Sequence, residues 1–316
     1  MANETTLTTL TELVHAEWIN PFILSFAQNY KNPSQFLLKM DPTNGSGTVS
    51  APRWVSDEGD VNDEGAAVDT EYDATEATNL DPVALETLDE TFSITEYGLN
   101  RTVTDHVFES AQSAASVLAS LTPNAASTLM AASNQTACAL FSSFTNQSGD
   151  VTADPLTIAF VDDAIYDLAE RGVVGELVGI LHHDQVRHFM DALQAASTSM
   201  ATYAGAADRQ MAMEPSPDQG RNIDGFALRY KGVSFYRNGL CSTANTAANV
   251  IGAIFCRGDL PAQADMAAIG QGSLREFRLE TERDASLRAT EFIFTMRWGC
   301  GIVNNAHGQE VISDKI

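Results

Sequence analysis

Apolar positions recur at helical spacing over residues 8–29, where Leu10, Leu13, Val14 and Trp18 share one stripe and Ile23 and Phe26 follow Pro21. Proline removes a backbone donor and clashes with the preceding turn, so two short amphipathic pieces are expected. Asn32-Pro33 and Asp41-Pro42 bracket the apolar patch Phe36-Leu37-Leu38, and Asn44-Gly45-Ser46-Gly47 reads as a hinge. A strand-like segment, Thr48 to Val55, follows. An alternating one carrying Phe92, Ile94, Leu99 and Val103 comes later. Two extended segments joined by a long tip predict a protruding arm.

Beyond Arg101 the pattern turns helical. Residues 105–120 are rich in Ala and Ser. Thr122-Pro123 then has the composition of a helix start, with Thr at the cap and Pro in the first turn. The predicted helix runs to about Thr145 and carries no charged side chain from 123 to 145, so it should pack on several sides. Asp154-Pro155 predicts another start; Ile158, Val161, Ile165 and Leu168 form its apolar face, and Arg171-Gly172 its end. A short strand at Leu177–Leu181 leads through His182-His183-Asp184 into a helix over 184–195. Residues 196–224 read as a loop. Ala227–Tyr230, Lys231-Gly232 and Val233–Tyr236 read as strand, turn and strand, and Val250–Cys256 as a buried strand. The chain closes with a long hairpin: Leu274–Thr281 and Thr290–Trp298 alternate, the latter with Phe292, Phe294, Met296 and Trp298 on one face. The class is α+β, with no internal repeat.

Charge changes this picture at the arm. Between Arg53 and Arg101 lie fourteen acidic residues and no Lys or Arg. Like charges held close repel, so such an arm needs opposite charge, water or a cation around it. The net charge of −24 is also uneven: −15 over residues 1–100, −7 over 101–170 and −2 over 171–316. That asymmetry permits one copy's arm to lie on another's Arg-bearing half. It excludes the basic surface that nucleic-acid binding requires. Cys138, Cys241, Cys256 and Cys300 show no CxxC spacing and read as free, mostly buried thiols. MANETTLTTL lacks the layout of a signal peptide, and no apolar run is long enough to span a membrane.

The usual phosphate-binding, nucleophile-elbow and HExxH signatures are absent. Three clusters offer chemistry instead. His182, His183 and Asp184, with His188, could seat a metal and support a metal-dependent enzyme, or could be polar residues at a strand-to-helix junction. Asp60 to Glu71 places Gly65 and Glu71 at the sixth and twelfth positions of a calcium loop, inside a stretch acidic enough for a chance match. Arg275, Arg278, Arg283, Arg288 and Arg297 could meet acids of another copy, or pair across the hairpin with Glu276, Glu280, Glu282 and Glu291.

The order of these parts resembles the major capsid proteins of tailed bacteriophages, which share the HK97-like fold. The resemblance is carried by MANETTLTTLTELVHAEWINPFILSFA at the start and ASNQTACALFSSFTNQSGD at the end of the long helix. DPLTIAFVDDAIYDLAERG with LVGILHHDQVRHFMDAL, ALRYKGVSFYRNG, VIGAIFCRGDL and ATEFIFTMRWGCGIVNNAHGQEVI carry the rest. It implies an N-terminal arm over 1–44, an extended loop over 45–104 and a peripheral domain over 105–174 with a spine helix at 123–147. An axial domain over 175–272 and a closing peripheral hairpin over 273–316 complete it. It further implies a structural protein of the Caudoviricetes virion with no catalysis, cofactor or bound metal. Hexamers and pentamers would self-assemble in the host cytoplasm into an icosahedral capsid, with a portal, and with packaged DNA held without sequence-specific contacts. A nanocompartment shell of the encapsulin type is the variant reading. About 45 residues precede the extended loop, too few for a scaffolding segment, so a separate scaffolding protein is expected. No Lys lies in the extended loop, so no Lys–Asn crosslink is expected there. The candidate inter-subunit contacts are Asp57, Glu58, Asp60, Asp63 and Glu64 against Arg275, Arg278, Arg283 and Arg288.

Overall fold

The computed structural model describes residues 4–5, 32–42, 47–54, 87–110, 114–149, 155–199, 225–244 and 248–315. The expected helices of 8–29, the arm tip with Asp57, Glu58, Asp60, Asp63 and Glu64, the calcium-loop match and most of the 196–224 loop lie outside these residues. In chain order the first elements are β1 (Glu4–Thr5), α1 (Asn32–Phe36), β2 (Leu38–Met40), β3 (Thr48–Trp54), β4 (Thr87–Ser93) and β5 (Thr95–Thr104). Then come α2 (Asp105–Ser110), α3 (Ala114–Ala139), β6 (Gln147–Gly149), α4 (Ile158–Glu170), β7 (Leu177–Leu181) and α5 (His183–Ser199). The last are β8 (Phe226–Tyr230), β9 (Val233–Arg237), β10 (Thr243–Ala244), β11 (Asn249–Cys256), β12 (Ile269–Asp284), β13 (Ala289–Ile302) and β14 (Gly308–Asp314).

Three sheets result. Among the described residues β3 and β4 pair only with each other, antiparallel, and form the base of the arm. A five-stranded sheet has the order β1-β5-β13-β12-β2, built on the long β12–β13 hairpin. A larger sheet has the order β6-β14-β11-β7-β9-β8, with β10 added to β11. β11 lies between β14 and β7, and all eight of its residues are buried, as an apolar strand covered on both faces should be.

α3 joins the two large sheets. Ala125 and Leu129 near its middle pack on Val103, Phe292 and Phe294 of the five-stranded sheet. Ala137 and Cys138, with Phe141 and Phe144 just beyond its end, pack on Val178, Ile180, Ile251, Ala253 and Phe255 of the larger sheet. The opposite face of that sheet is covered by α4 and α5, through Val161, Ala164, Leu168, Val186 and Phe189. A helix buried against two sheets in succession has little room for charge, which accounts for its uncharged sequence. Its exposed stripe carries Pro123, Thr128, Gln135 and Ala139. Among the described residues no helix is long and apolar enough to cross a membrane.

Three predicted boundaries are corrected. Thr122-Pro123 does not open α3, which begins at Ala114 and contains Pro123. Proline at that position removes the N–H that would reach Ala119 and crowds the Ala119 carbonyl, and packing against the sheet outweighs that local loss. The helix also stops earlier than Thr145, passing into a 3-10 turn over Leu140–Ser143. α4 starts after Thr157, whose hydroxyl accepts the Phe160 N–H at 3.4 Å, and not at Asp154-Pro155. Its end at Arg171-Gly172 is as predicted, with Gly172 in the left-handed region at φ 76.

One buried cation locks the N-terminal segment to the body. Arg257, 2% exposed, pairs with Asp259 at 2.7 Å and Glu176 at 3.1 Å and lies 5.1 Å from the centre of the Phe36 ring. The adjacent Gly258 N–H donates to the Phe36 carbonyl at 2.8 Å. Removing one partner of a buried pair leaves the others uncompensated. Arg257→Ala is therefore expected to cost about 3–5 kcal/mol in denaturant unfolding. Arg187→Ala, in the exposed pair with Asp191, should cost less than about 1 kcal/mol.

Candidate functional site

The base of the arm rests on a floor of glycine. In β12 and β13, Gly270 pairs directly with Gly301 and Gly272 with Gly299. Strand alternation sets these four on one face, while Gln271, Trp298 and Cys300 fall on the other, toward α3 and the core. The arm segment packs where the side chains of Gly272, Gly299 and Gly301 would be, and Met40 and Val303 fill the place beside Gly270. A β-carbon on Gly301 would stand 2.6 Å from the Phe92 β-carbon, and one on Gly270 would stand 2.8 Å from the Met40 sulfur. One on Gly272 would overlap Val49, and one on Gly299 would overlap the Ser93 carbonyl. Val49 and Ile94 are buried in this contact, and the Ile94 N–H donates to the Gly47 carbonyl at 2.7 Å, closing the arm where it enters and leaves the body. The predicted hairpin, 274–281 and 290–298, stopped short of these glycines because glycine normally weakens a strand. The missed signal was the repeated Gly-x-Gly, at 270–272 and 299–301, on both strands of one hairpin.

The same open face carries charge beyond the glycines. Glu96 of β5, Arg297 of β13 and Arg275 of β12 stand in one cross-strand row, with Arg275 at 3.4 Å and Arg297 at 3.7 Å from the Glu96 carboxylate. Arg278 reaches Glu280 at 3.0 Å. Arg283 makes a two-pronged pair with Asp105, at 2.8 and 2.7 Å. Arg288 sits in the β12–β13 turn at φ 49 and forms no ion pair among the described residues, though its carbonyl accepts the Asp105 N–H at 2.8 Å. The turn is held by Asp284, whose carboxylate accepts from the Ser286 N–H and hydroxyl and from the Leu287 N–H; these bonds lower its pKa. Of the four candidate arginines, Arg275, Arg278 and Arg283 thus have partners within the chain.

The histidine cluster is a helix start. The His182 N–H donates to Gln185 Oε1 at 3.0 Å, and His182 Nδ1 accepts the Asp184 N–H at 3.2 Å. This is a capping box with histidine in the cap position. Gln185 is wholly buried and donates to the carbonyls of Val250 and Val311 at 3.1 and 3.0 Å. Gly252 leaves it room: a β-carbon there would lie 2.7 Å from Gln185 Oε1. Burial lowers the pKa of both His182 and His183, against the raising effect of Asp184. The same His182 Nδ1 lies 3.1 Å from an Asp184 carboxylate oxygen. Among the described residues no group of three or more His, Cys, Asp or Glu side chains is placed to hold a metal ion. The four cysteines are free, three of them buried; burial pushes Cys256 up to about 11 and Cys300 up to about 12.

This architecture recurs in solved structures. It matches a chain from the capsid of the cyanophage P-SCSP1u at TM-score 0.64 and 11% identity, covering 93% of this chain and 91% of that one. A Mycobacterium phage Che8 chain matches at 0.56 and 12%, covering 84% of each. The chain has the HK97-like capsid fold. The same fold is seen in the SrpI encapsulin complex of Synechococcus elongatus, at 0.58 and 7% identity over 91% of this chain and 89% of that one. At such identities the likeness is one of fold. The sequence matches no protein-family model and no curated protein sequence.

The Asp105–Arg283 pair has a defined pH signature. The bonds from Arg283 hold the Asp105 carboxyl below its ordinary value. Its contribution is present above the unfolded carboxylate range and is lost as pH falls through the lower folded value. Asp105→Asn should lower the melting temperature at neutral pH, and the difference from the native chain should shrink as the pH falls below the ordinary carboxylate range.

Proposed function

We propose that this chain is the major capsid protein of a tailed bacteriophage, assembling as hexamers and pentamers into the icosahedral shell that encloses the genome. The carrying observation is the near-full-length correspondence of its fold with phage capsid chains. In this reading the extended loop of 45–104 lies across a neighbouring subunit, and α3 is the spine. Residues 175–272, which include α5 and strands β7 to β11 of the larger sheet, form the axial domain around five-fold and six-fold positions. The β12–β13 hairpin belongs to the peripheral domain.

The arm's acids, Asp57, Glu58, Asp60, Asp63 and Glu64, then meet arginines of another copy. Arg288, exposed and without an ion pair among the described residues, is the readiest of the four. Arg275 and Arg278 are part-exposed and held by single contacts that a neighbour's carboxylates can exchange. Arg283 would have to leave a two-pronged pair. The acidic balance suits an inner surface along which DNA slides without adhering. A separate scaffolding protein, a portal and assembly in the host cytoplasm complete this reading. Binding energy spread over several interfaces per copy calls for no catalytic site or cofactor.

The encapsulin likeness supports a second reading, a shell around protein cargo. Negative-stain electron microscopy of the expressed chain, alone and with candidate scaffold, tests both. Uniform shells or capsomer rings support a shell protein, and a persistent monomer in every condition refutes it. Nuclease-protected DNA in particles from infected cells supports the phage reading; protein cargo without DNA supports the compartment. Replacing Asp57, Glu58 and Asp60 together with Lys should abolish assembly while the far-UV circular dichroism of the subunit stays native.

A further inference from the structure

We propose that the four-glycine floor of β12 and β13 is the positioning element of the assembly arm: it sets the angle at which the β3–β4 hairpin leaves the body, and so which neighbour the arm can reach. The inference rests on the shell reading above and adds to it the part that aims the arm.

The argument is geometric. Among the described residues β3 and β4 form a ladder only with each other, and β4 runs on through Ile94 into β5, so pairing with either large sheet does not fix the hairpin's direction. What remains is the contact of its base with the body, where Val49, Phe92, Ser93 and Ile94 lie against Gly270, Gly272, Gly299 and Gly301. These glycines are two directly opposed pairs on one face, so they expose a flat patch of bare backbone two residues long and two strands wide. Glycine weakens a strand interior, and four in adjacent positions of one ladder are a sustained local loss. The compensation is close approach. At Gly299 the arm's own backbone, the Ser93 carbonyl, occupies the place of a side chain, and at Gly301 the Phe92 β-carbon does. Any β-carbon at those two points must lift β4 itself, because what it meets is main chain or the root of a side chain.

A lever amplifies such a lift. Beyond Val49 and Phe92, β3 and β4 each extend five residues, roughly 16 Å at about 3.3 Å per residue. A displacement of an ångström or two at the floor therefore swings the far end several-fold further.

The opposing faces supply controls. Gly98 of β5 lies on the same open face, yet a β-carbon there meets nothing closer than 3.7 Å. Gly272 opposes the end of the Val49 side chain, not backbone. A methyl group added at 272 can thus be offset by removing methyls at 49.

The test pairs a subunit measurement with an assembly measurement. Nitroxide labels at Glu90 on β4 and Asp163 on α4, both exposed, report the hairpin's direction in the unassembled subunit by pulsed electron resonance. Gly299→Ala and Gly272→Ala should shift or broaden the label distance in a chain that still melts cooperatively. They should also reduce closed shells at least tenfold, or yield particles of altered diameter. Gly98→Ala should leave both readouts native. The double variant Gly272→Ala with Val49→Ala should restore both. An unchanged distance in Gly299→Ala, a shifted distance with native assembly, or a failed rescue in the double variant would each overturn the proposal. If Gly299→Ala does not fold, the Gly272 and Val49 pair decides alone. Should the native chain form no shell in any condition, the shell reading fails, while the distance measurement still reports whether the floor sets the hairpin's direction.

Discussion

The packing of one uncharged helix across two sheets is the contact on which the rest of this structure depends. α3 meets the five-stranded sheet through Ala125 and Leu129 and the larger sheet through Ala137 and Cys138 near its end. Neither sheet is covered on that side by another long helix among the described residues. Burying a large apolar side chain is worth about 1.5–3 kcal/mol. Leu129, Phe141 and Phe144, in or just beyond the helix, and Phe255, Phe292 and Phe294 opposite are all buried in these seams. A charge at those positions would have to be desolvated, so the helix is written in Ala, Ser, Thr, Asn and Gln, with a few apolar side chains at the contacts.

The ties around that helix are polar and specific. Arg257 joins the end of α1 to the residue before β7, and Gln185 ties the first turn of α5 to β11 and β14. Each is a buried group with its hydrogen-bonding capacity directed at fixed partners, which rewards one register and penalises its neighbours. The arm is attached differently. It gains no ladder from either large sheet and is seated by close approach to bare backbone. That combination gives a rigid body holding out a separately oriented hairpin, the form a subunit needs if its binding energy is to be realised on other copies.

Much of the fold was legible in sequence because its signals are local. The periodicity of Ile158, Val161, Ile165 and Leu168, the apolar run of β11 and the alternation through Phe292 to Trp298 each state their own element. Lys231-Gly232, with φ 46 and 85, forms the tight turn that the pattern predicted. The misreadings share one cause. Thr122-Pro123 and the glycines at 270–272 and 299–301 carry strong local signals for ending an element, and in both places contacts from distant parts of the chain outweigh them. The histidines divided in the same way: His-His-Asp has the composition of a metal site, and only the reach of Gln185 back to the His182 N–H reveals a cap.

What the sequence determined by itself was the kind of elements, their order and the separation of charge. These follow from spacing within a few turns and from composition. Tertiary structure alone decided that β14 crosses to lie beside β11, that α3 continues through a proline, and that four glycines face one surface to receive the arm. Each of these depends on which distant atoms come into contact, and the energy of such a contact is not carried by either segment until the two meet.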